Sequence, residues 1–164
     1  MRISGKTWPV VLKETGRLFW MLGFIFIVPA IVSASYKEWY SAGGFILSAF
    51  ISMSFGLILR YLNRNADEPL FNNALIIVAF GWLAATFMGG LPFYIIANIT
   101  PPEVLNRLVP EGATYQSSLL FFKNPLHCFF ESMSAYTTTG LTMVVHEPSA
   151  GKGVLFYRSF AQWL

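Results

Sequence analysis

Residues 124–142 read NPLHCFFESMSAYTTTGLT, and the fold turns on how this stretch is understood. Asn124 suits a helix N-cap, because its side-chain oxygen can take an N–H of the first turn that has no helical partner. Pro125 suits the first helical position, where a missing N–H costs nothing. Leu126 to Tyr136 then gives eleven mostly apolar residues, a helix of about 16 Å at ~1.5 Å per residue. That is roughly half of a ~30 Å hydrocarbon core. A half-length apolar helix reads as a re-entrant segment, provided that protein surrounds it, since its ends expose backbone groups that lipid cannot satisfy.

The surroundings are of the required kind. Of 164 residues, 55% are hydrophobic and only 12% charged, against roughly 25% charged in a soluble domain. The charges lie between long apolar runs. Leu18–Ala34, Tyr40–Leu59 and Asn73–Ile96 are free of charge and long enough to span, and a fourth apolar helix begins near Val154. The sequence therefore predicts an all-α integral membrane protein, with transmembrane helices plus a re-entrant pore helix and loop. The net charge of +3 comes from Lys and Arg placed beside the spans. That placement speaks for membrane orientation and against nucleic-acid binding. Cys128 is the single cysteine, which excludes an internal disulfide.

Arg2, Lys6, Lys13 and Arg17 precede the first span, and Arg60 and Arg64 stand between the second and third; Lys37 alone separates the first two. The positive-inside rule puts the N-terminus and the 60–72 connection in the cytoplasm, so the third span runs outward and 97–153 lies outside. Trp39 and Tyr40 suit the interface. A cleaved leader over 1–35 is the alternative, although its apolar run is long and bulky for one. Residues 97–124 read as loop, with Pro101, Pro102, Pro110 and Gly112; the sequon at Asn98 lies close to the membrane. Gly81, Ala85 and Gly89 put small residues on one face of the third span, the pattern that lets helix backbones approach in lipid.

Thr137-Thr138-Thr139-Gly140-Leu141-Thr142 follows the half-helix directly. A dehydrated cation must be met by oxygens that replace its water. Backbone carbonyls supply them only at unusual backbone angles, which glycine tolerates and β-branched residues mostly do not. The half-helix also aims its partly negative C-terminal end at the same place. A Thr-rich turn with Gly140 as an ordinary C-cap is the plainer alternative. The spans before it and the helix after it favour a cation filter.

These residues carry a family resemblance. Phe129 to Thr142 resembles the first pore loop of the Trk/Ktr/HKT potassium transporter superfamily, in particular its TrkH-like bacterial branch. Leu155–Leu164 resembles the helix that follows, and Gly89-Gly90-Leu91-Pro92-Phe93 fits the end of the helix before. The resemblance implies a fold of four helix–pore loop–helix repeats, with 1–71 an extra leading pair of helices and 72–164 the first repeat, cut short in its last helix. The chain is then expected to be an N-terminal fragment. The resemblance further implies potassium transport, with Gly140 at the key glycine position and Thr138, Thr139, Gly140, Leu141 and Thr142 lining the ion path. Thr142 stands near the place where ordinary potassium channels have a second glycine. No cofactor is implied beyond the transported ion, and potassium meets only filter carbonyls. A TrkA- or KtrA-type nucleotide-binding regulatory subunit, a homodimer and the bacterial inner membrane are implied with it.

Glu131 is the only acid in the predicted pore helix, and a buried carboxylate needs partners. Supporting the filter, through hydrogen bonds or by pairing with a cation such as Arg158, is the expected role, with Thr137 as a second support. A carboxylate facing outer water at a shallow depth is the plainer alternative. Arg158 is expected to pair or to snorkel, since a fixed positive charge in the path would repel potassium. His127 and Cys128 point to different helix faces and read as packing residues; His146 has no partner at ligand spacing. With no nucleophile–base pair, phosphate loop or paired acids, no enzyme is expected. The rivals are a non-transporting membrane protein or gene remnant, and a membrane enzyme using His127, Glu131 or His146.

Overall fold

The computed structural model describes residues 7–69 and 71–164; Arg2 and Lys6 lie outside the described residues. The chain is an all-α membrane protein: α1 (Thr7–Ser35), α2 (Trp39–Leu62), α3 (Phe71–Ile99), α4 (Pro102–Arg107), α5 (Pro125–Tyr136) and α6 (Lys152–Ala161), with 3-10 turns at Ser118–Lys123 and Glu147–Ala150. Among the described residues three helices are long and apolar enough to cross a membrane. α1 starts well before the apolar run, because its hydrogen-bond ladder is indifferent to side-chain polarity. Its extra turns carry Lys13, Glu14 and Arg17, the last two paired at 3.0 Å.

α1 and α2 form a close hairpin through two glycines. A Cβ on Gly56 would sit 2.6 Å from the Gly16 carbonyl oxygen and 2.7 Å from the Trp20 nitrogen, so the two backbones touch. Ser52 adds an interhelical bond, its hydroxyl donating to the Phe19 carbonyl at 2.6 Å. At one end of the hairpin Lys13 Nζ donates to the Ala66 carbonyl at 2.9 Å. At the other end the α1–α2 turn meets α6: Glu38 accepts from the backbone N–H groups of Lys152 and Gly153, each at 2.8 Å. The N-terminal half of α1 and the α2–α3 connection thus share one face of the bundle, and the α1–α2 turn and the start of α6 share the other. This is the pairing of ends that the charge pattern asks for.

The small-residue face of α3 is used at one end only. A Cβ on Gly89 would lie 2.3 Å from the Tyr136 ring, and one on Gly90 3.0 Å from the Cys128 carbonyl, whereas Gly81 has nothing within 4 Å. α5 is short, and its Met133 reaches Thr86, so the stripe beyond that level has nothing to receive. Residues 97–124 are more ordered than the loop expected. Pro102 starts α4 with Glu103 in its first turn and Arg107 in its last, charges that suit the helix dipole. Leu119 and Phe122 are fully buried, and Phe122 packs on Phe93 with ring centroids 5.0 Å apart. Composition hid this, because a few buried apolar residues, Leu105 of α4 among them, suffice to dock a segment otherwise rich in Pro and polar groups.

Tyr157 of α6 sits where the elements converge. Its ring meets Phe26 of α1, Phe45 of α2 and Phe93 of α3 at 5.7, 5.3 and 5.2 Å. Its hydroxyl donates to the Gly89 carbonyl at 2.9 Å and lies 3.2 Å from the Tyr136 hydroxyl.

Gly56→Leu is expected to separate α1 from α2, at a cost of ~3 kcal/mol or more, whereas Gly43→Ala, which meets nothing within 4 Å, is expected to be silent. Membrane abundance and resistance to limited proteolysis check both.

Candidate functional site

α5 begins as the sequence predicts. Asn124 Oδ1 accepts from the Leu126 N–H at 3.0 Å, and Pro125 takes the first helical position. The helix spans twelve residues, about 18 Å at ~1.5 Å each. Its last turn hands the chain over through three backbone bonds: Thr137 N–H to Met133, Thr138 N–H to Ala135 and Thr139 N–H to Ser134, at 2.9, 3.1 and 3.0 Å.

Thr137 to Thr142 form an exposed run. Within it Thr138 has φ 55° and Gly140 φ 80°. Positive φ at a β-branched residue is rare and strained, by ~1–3 kcal/mol. The three hand-over bonds hold Thr138 there. At Gly140 an added Cβ would meet nothing within 4 Å, so glycine is required there by backbone conformation and not by room. Two left-handed residues flanking Thr139 keep the segment from continuing as helix or strand.

The back of this run is pinned to an ion pair whose carboxylate is buried and whose guanidinium is part-exposed. Glu131 is fully buried. Its Oε1 accepts from Arg158 Nε at 2.5 Å and from the Thr142 hydroxyl at 2.8 Å, and its Oε2 accepts from the Met143 N–H at 2.7 Å. The Thr142 oxygen in turn accepts from the Val144 N–H at 2.9 Å. A buried carboxylate persists when its charge is paired and its lone pairs are filled, and both conditions are met. Arg158 reaches further: Nη2 donates to the carbonyls of Gly140 and Leu141 at 2.9 and 3.2 Å. Ser134 also donates to the Leu141 carbonyl, at 2.6 Å. Thr137 donates its hydroxyl to the Met133 carbonyl at 2.7 Å, so in its 2.8 Å contact with Thr139 the Thr139 hydroxyl is the donor.

The structure therefore brings Glu131, Thr142 and Arg158 together, with Gly140 and Leu141 held from behind. Thr137, Thr138 and Thr139 stand exposed in front. Sequence reasoning named Arg158 as one candidate partner for Glu131. It missed Ser134 and the reach of Arg158 to two carbonyls, which no local spacing betrays. It also missed Glu38, whose helix-capping partners lie more than a hundred residues on. The histidines have local roles: His127 Nδ1 lies 2.8 Å from the Phe121 carbonyl and His146 stacks on Tyr115 at 3.6 Å. The Cys128 thiol donates to the Phe122 carbonyl. Among the described residues no three His, Cys, Asp or Glu side chains cluster as a metal site would need.

No family model matches the chain. Curated relatives do. An uncharacterized cation transporter of Methanocaldococcus jannaschii is 29% identical over 163 residues, covering 99% of this chain and 29% of the relative. The Trk system potassium uptake protein TrkH of Vibrio parahaemolyticus is 28% identical over 155 residues, 93% of this chain and 27% of its own length. The TrkH of Escherichia coli K12 matches to the same extent. The chain spans between a quarter and a third of the length of these relatives. The relatives' names and the near-complete coverage of this chain support the TrkH-like resemblance.

Glu131→Ala is expected to destabilise the protein by ~1–3 kcal/mol, because it leaves the Met143 N–H and the Thr142 hydroxyl without their acceptor and the part-exposed Arg158 without its counter-charge. Glu131→Gln, which keeps an acceptor oxygen for those donors, is expected to lose less. Thermal melting of detergent-solubilised protein, followed by size-exclusion profile, measures both.

Proposed function

We propose that this chain supplies one wall of a potassium path through the membrane, as the first part of a TrkH-like uptake protein. The observation that carries the reading is the backbone of the threonine–glycine segment. A capped half-helix delivers an exposed run with positive φ at Thr138 and Gly140, braced from behind by Glu131 and Arg158. Among the described residues the carbonyls of Thr137, Thr138 and Thr139 accept no hydrogen bond, which leaves them free to replace part of an ion's hydration shell. The α5 C-terminus adds its partial negative charge at the inner end. In this reading Thr138, Thr139, Gly140, Leu141 and Thr142 border the path, Glu131 and Thr137 support it, and three further repeats complete it. The names of the curated relatives favour potassium as cargo.

The remaining parts of the proposal follow from the resemblance. The N-terminus and the α2–α3 connection face the cytoplasm of a bacterial inner membrane, in line with Lys13, Arg17, Arg60 and Arg64. The whole protein pairs with a second copy and with a nucleotide-binding regulatory subunit. It uses no cofactor and is no enzyme.

Gly140→Ser in the full-length protein tests the central claim. A side chain at φ 80° is disfavoured by ~1–2 kcal/mol, and relief of that strain swings the Thr139 and Gly140 carbonyls. Potassium uptake in cells lacking their own uptake systems is expected to fall about tenfold, the effect of ~1.4 kcal/mol, or to admit more sodium. Unchanged rate and unchanged potassium-to-sodium ratio would remove the filter assignment.

A further inference from the structure

A carbonyl oxygen offers two lone pairs, and a cation ligand needs one of them free and facing the ion. The carbonyls along the segment differ in this respect. Among the described residues, those of Thr137, Thr138 and Thr139 accept no hydrogen bond. Gly140 accepts one, from Arg158. Leu141 accepts two, from Arg158 and from Ser134, so both of its lone pairs are taken inside the protein.

Ser134 is the unexpected member. A serine within a helix commonly returns its hydroxyl to the carbonyl four residues back, as Ser33 does with Pro29 and Ser48 with Gly44. Ser134 is 5% exposed and instead donates forward to Leu141, seven residues on, at 2.6 Å. The guanidinium beside it keeps its full positive charge, but Glu131 pairs with it at contact distance, so the pair as a whole is close to neutral. It can hold carbonyls near an ion path without expelling cations.

We infer that Ser134, together with Arg158, turns the Leu141 carbonyl away from the path, so that this segment offers cation-binding oxygens only as far as Gly140. The inference rests on the potassium-path reading above and deepens it. At the level of Leu141 a cation keeps water on this side in place of a protein oxygen. The stripping of that shell, and with it discrimination between potassium and sodium, is confined to the Thr138–Gly140 level. Ser134 is a positioning residue: it acts through the Leu141 peptide and touches no ion.

The test compares Ser134→Ala, Ser134→Cys and Ser134→Thr in the full-length protein, in cells lacking potassium uptake, with potassium and sodium as the measured ions. Loss of one hydrogen bond frees a lone pair and lets the Leu141 peptide turn. The potassium-to-sodium ratio or the KM for potassium is expected to shift about fivefold in the Ala and Cys variants, the effect one neutral bond carries. Thr keeps the hydroxyl and is expected to keep both values. Cys is nearly isosteric with Ser and a weak donor, so it decides the matter should Ala fail to accumulate. If Ala and Cys alter only the amount of protein or the maximal rate, with ratio and KM unchanged, the inference is overturned. Gly140→Ser run alongside separates the two levels: if it shifts selectivity while the Ser134 variants do not, only the role of Ser134 falls; if it too is silent, the path reading falls first.

Discussion

Backbone that is neither helix nor closed sheet cannot face hydrocarbon, because each unpaired N–H or C=O there costs several kcal/mol. Residues 137–146 are backbone of this kind, set within a bundle of apolar helices. The molecule meets the constraint with a small number of buried donors and acceptors aimed at that backbone. Glu131 takes the Met143 N–H and the Thr142 hydroxyl, Arg158 and Ser134 give to Gly140 and Leu141, and the end of α5 takes three N–H groups in succession. What is left unpaired is the front of the threonine run. A loop buried on one side and exposed on the other requires water or further protein on its open face.

The same constraint explains why Glu131 is tolerated. An isolated carboxylate at this depth would be driven neutral, but one with an arginine and two further donors is held as part of a network. Networks of this type stand or fall together: removing one member leaves the others buried and unsatisfied. The rigidity of the segment is therefore a property of the group. The strain at Thr138 is supported by the backbone bonds that precede it and the pinned residues that follow.

Much of this was legible in the sequence. The absence of charge over Tyr40–Leu59 fixes a span because nothing else accommodates twenty uncharged residues. Asn124-Pro125 announces a helix start because capping is local chemistry. That Glu131 needs partners was legible from cost, with Arg158 one candidate among them; that it pairs with Arg158 and also takes two other donors is set by the fold. Contacts set by three-dimensional approach were not legible. Leu119 and Phe122 dock a segment whose composition reads as loop. Gly89 and Gly90 are used while Gly81 on the same stripe is not, which depends on where α5 ends. Ser134 reads as one more small polar residue until the fold brings Leu141 beside it.

The Glu38 contact bears on how the molecule is made. Its carboxylate is held by amides 114 and 115 residues later in the chain. A ribosome adding ~5–20 residues per second leaves the α1–α2 hairpin waiting several seconds for the start of α6. Over that interval the hairpin must be inserted and self-sufficient, which its own glycine seam and the Ser52 bond allow. Glu38 in its turn remains an open acceptor. When α6 arrives, the first helical amides find a carboxylate already in place, and Gly153 slots against Ser33 and Ser41. The early hairpin thus serves as a template that a late helix must match, and an α6 that fails to dock leaves the Glu38 carboxylate without its two amide partners.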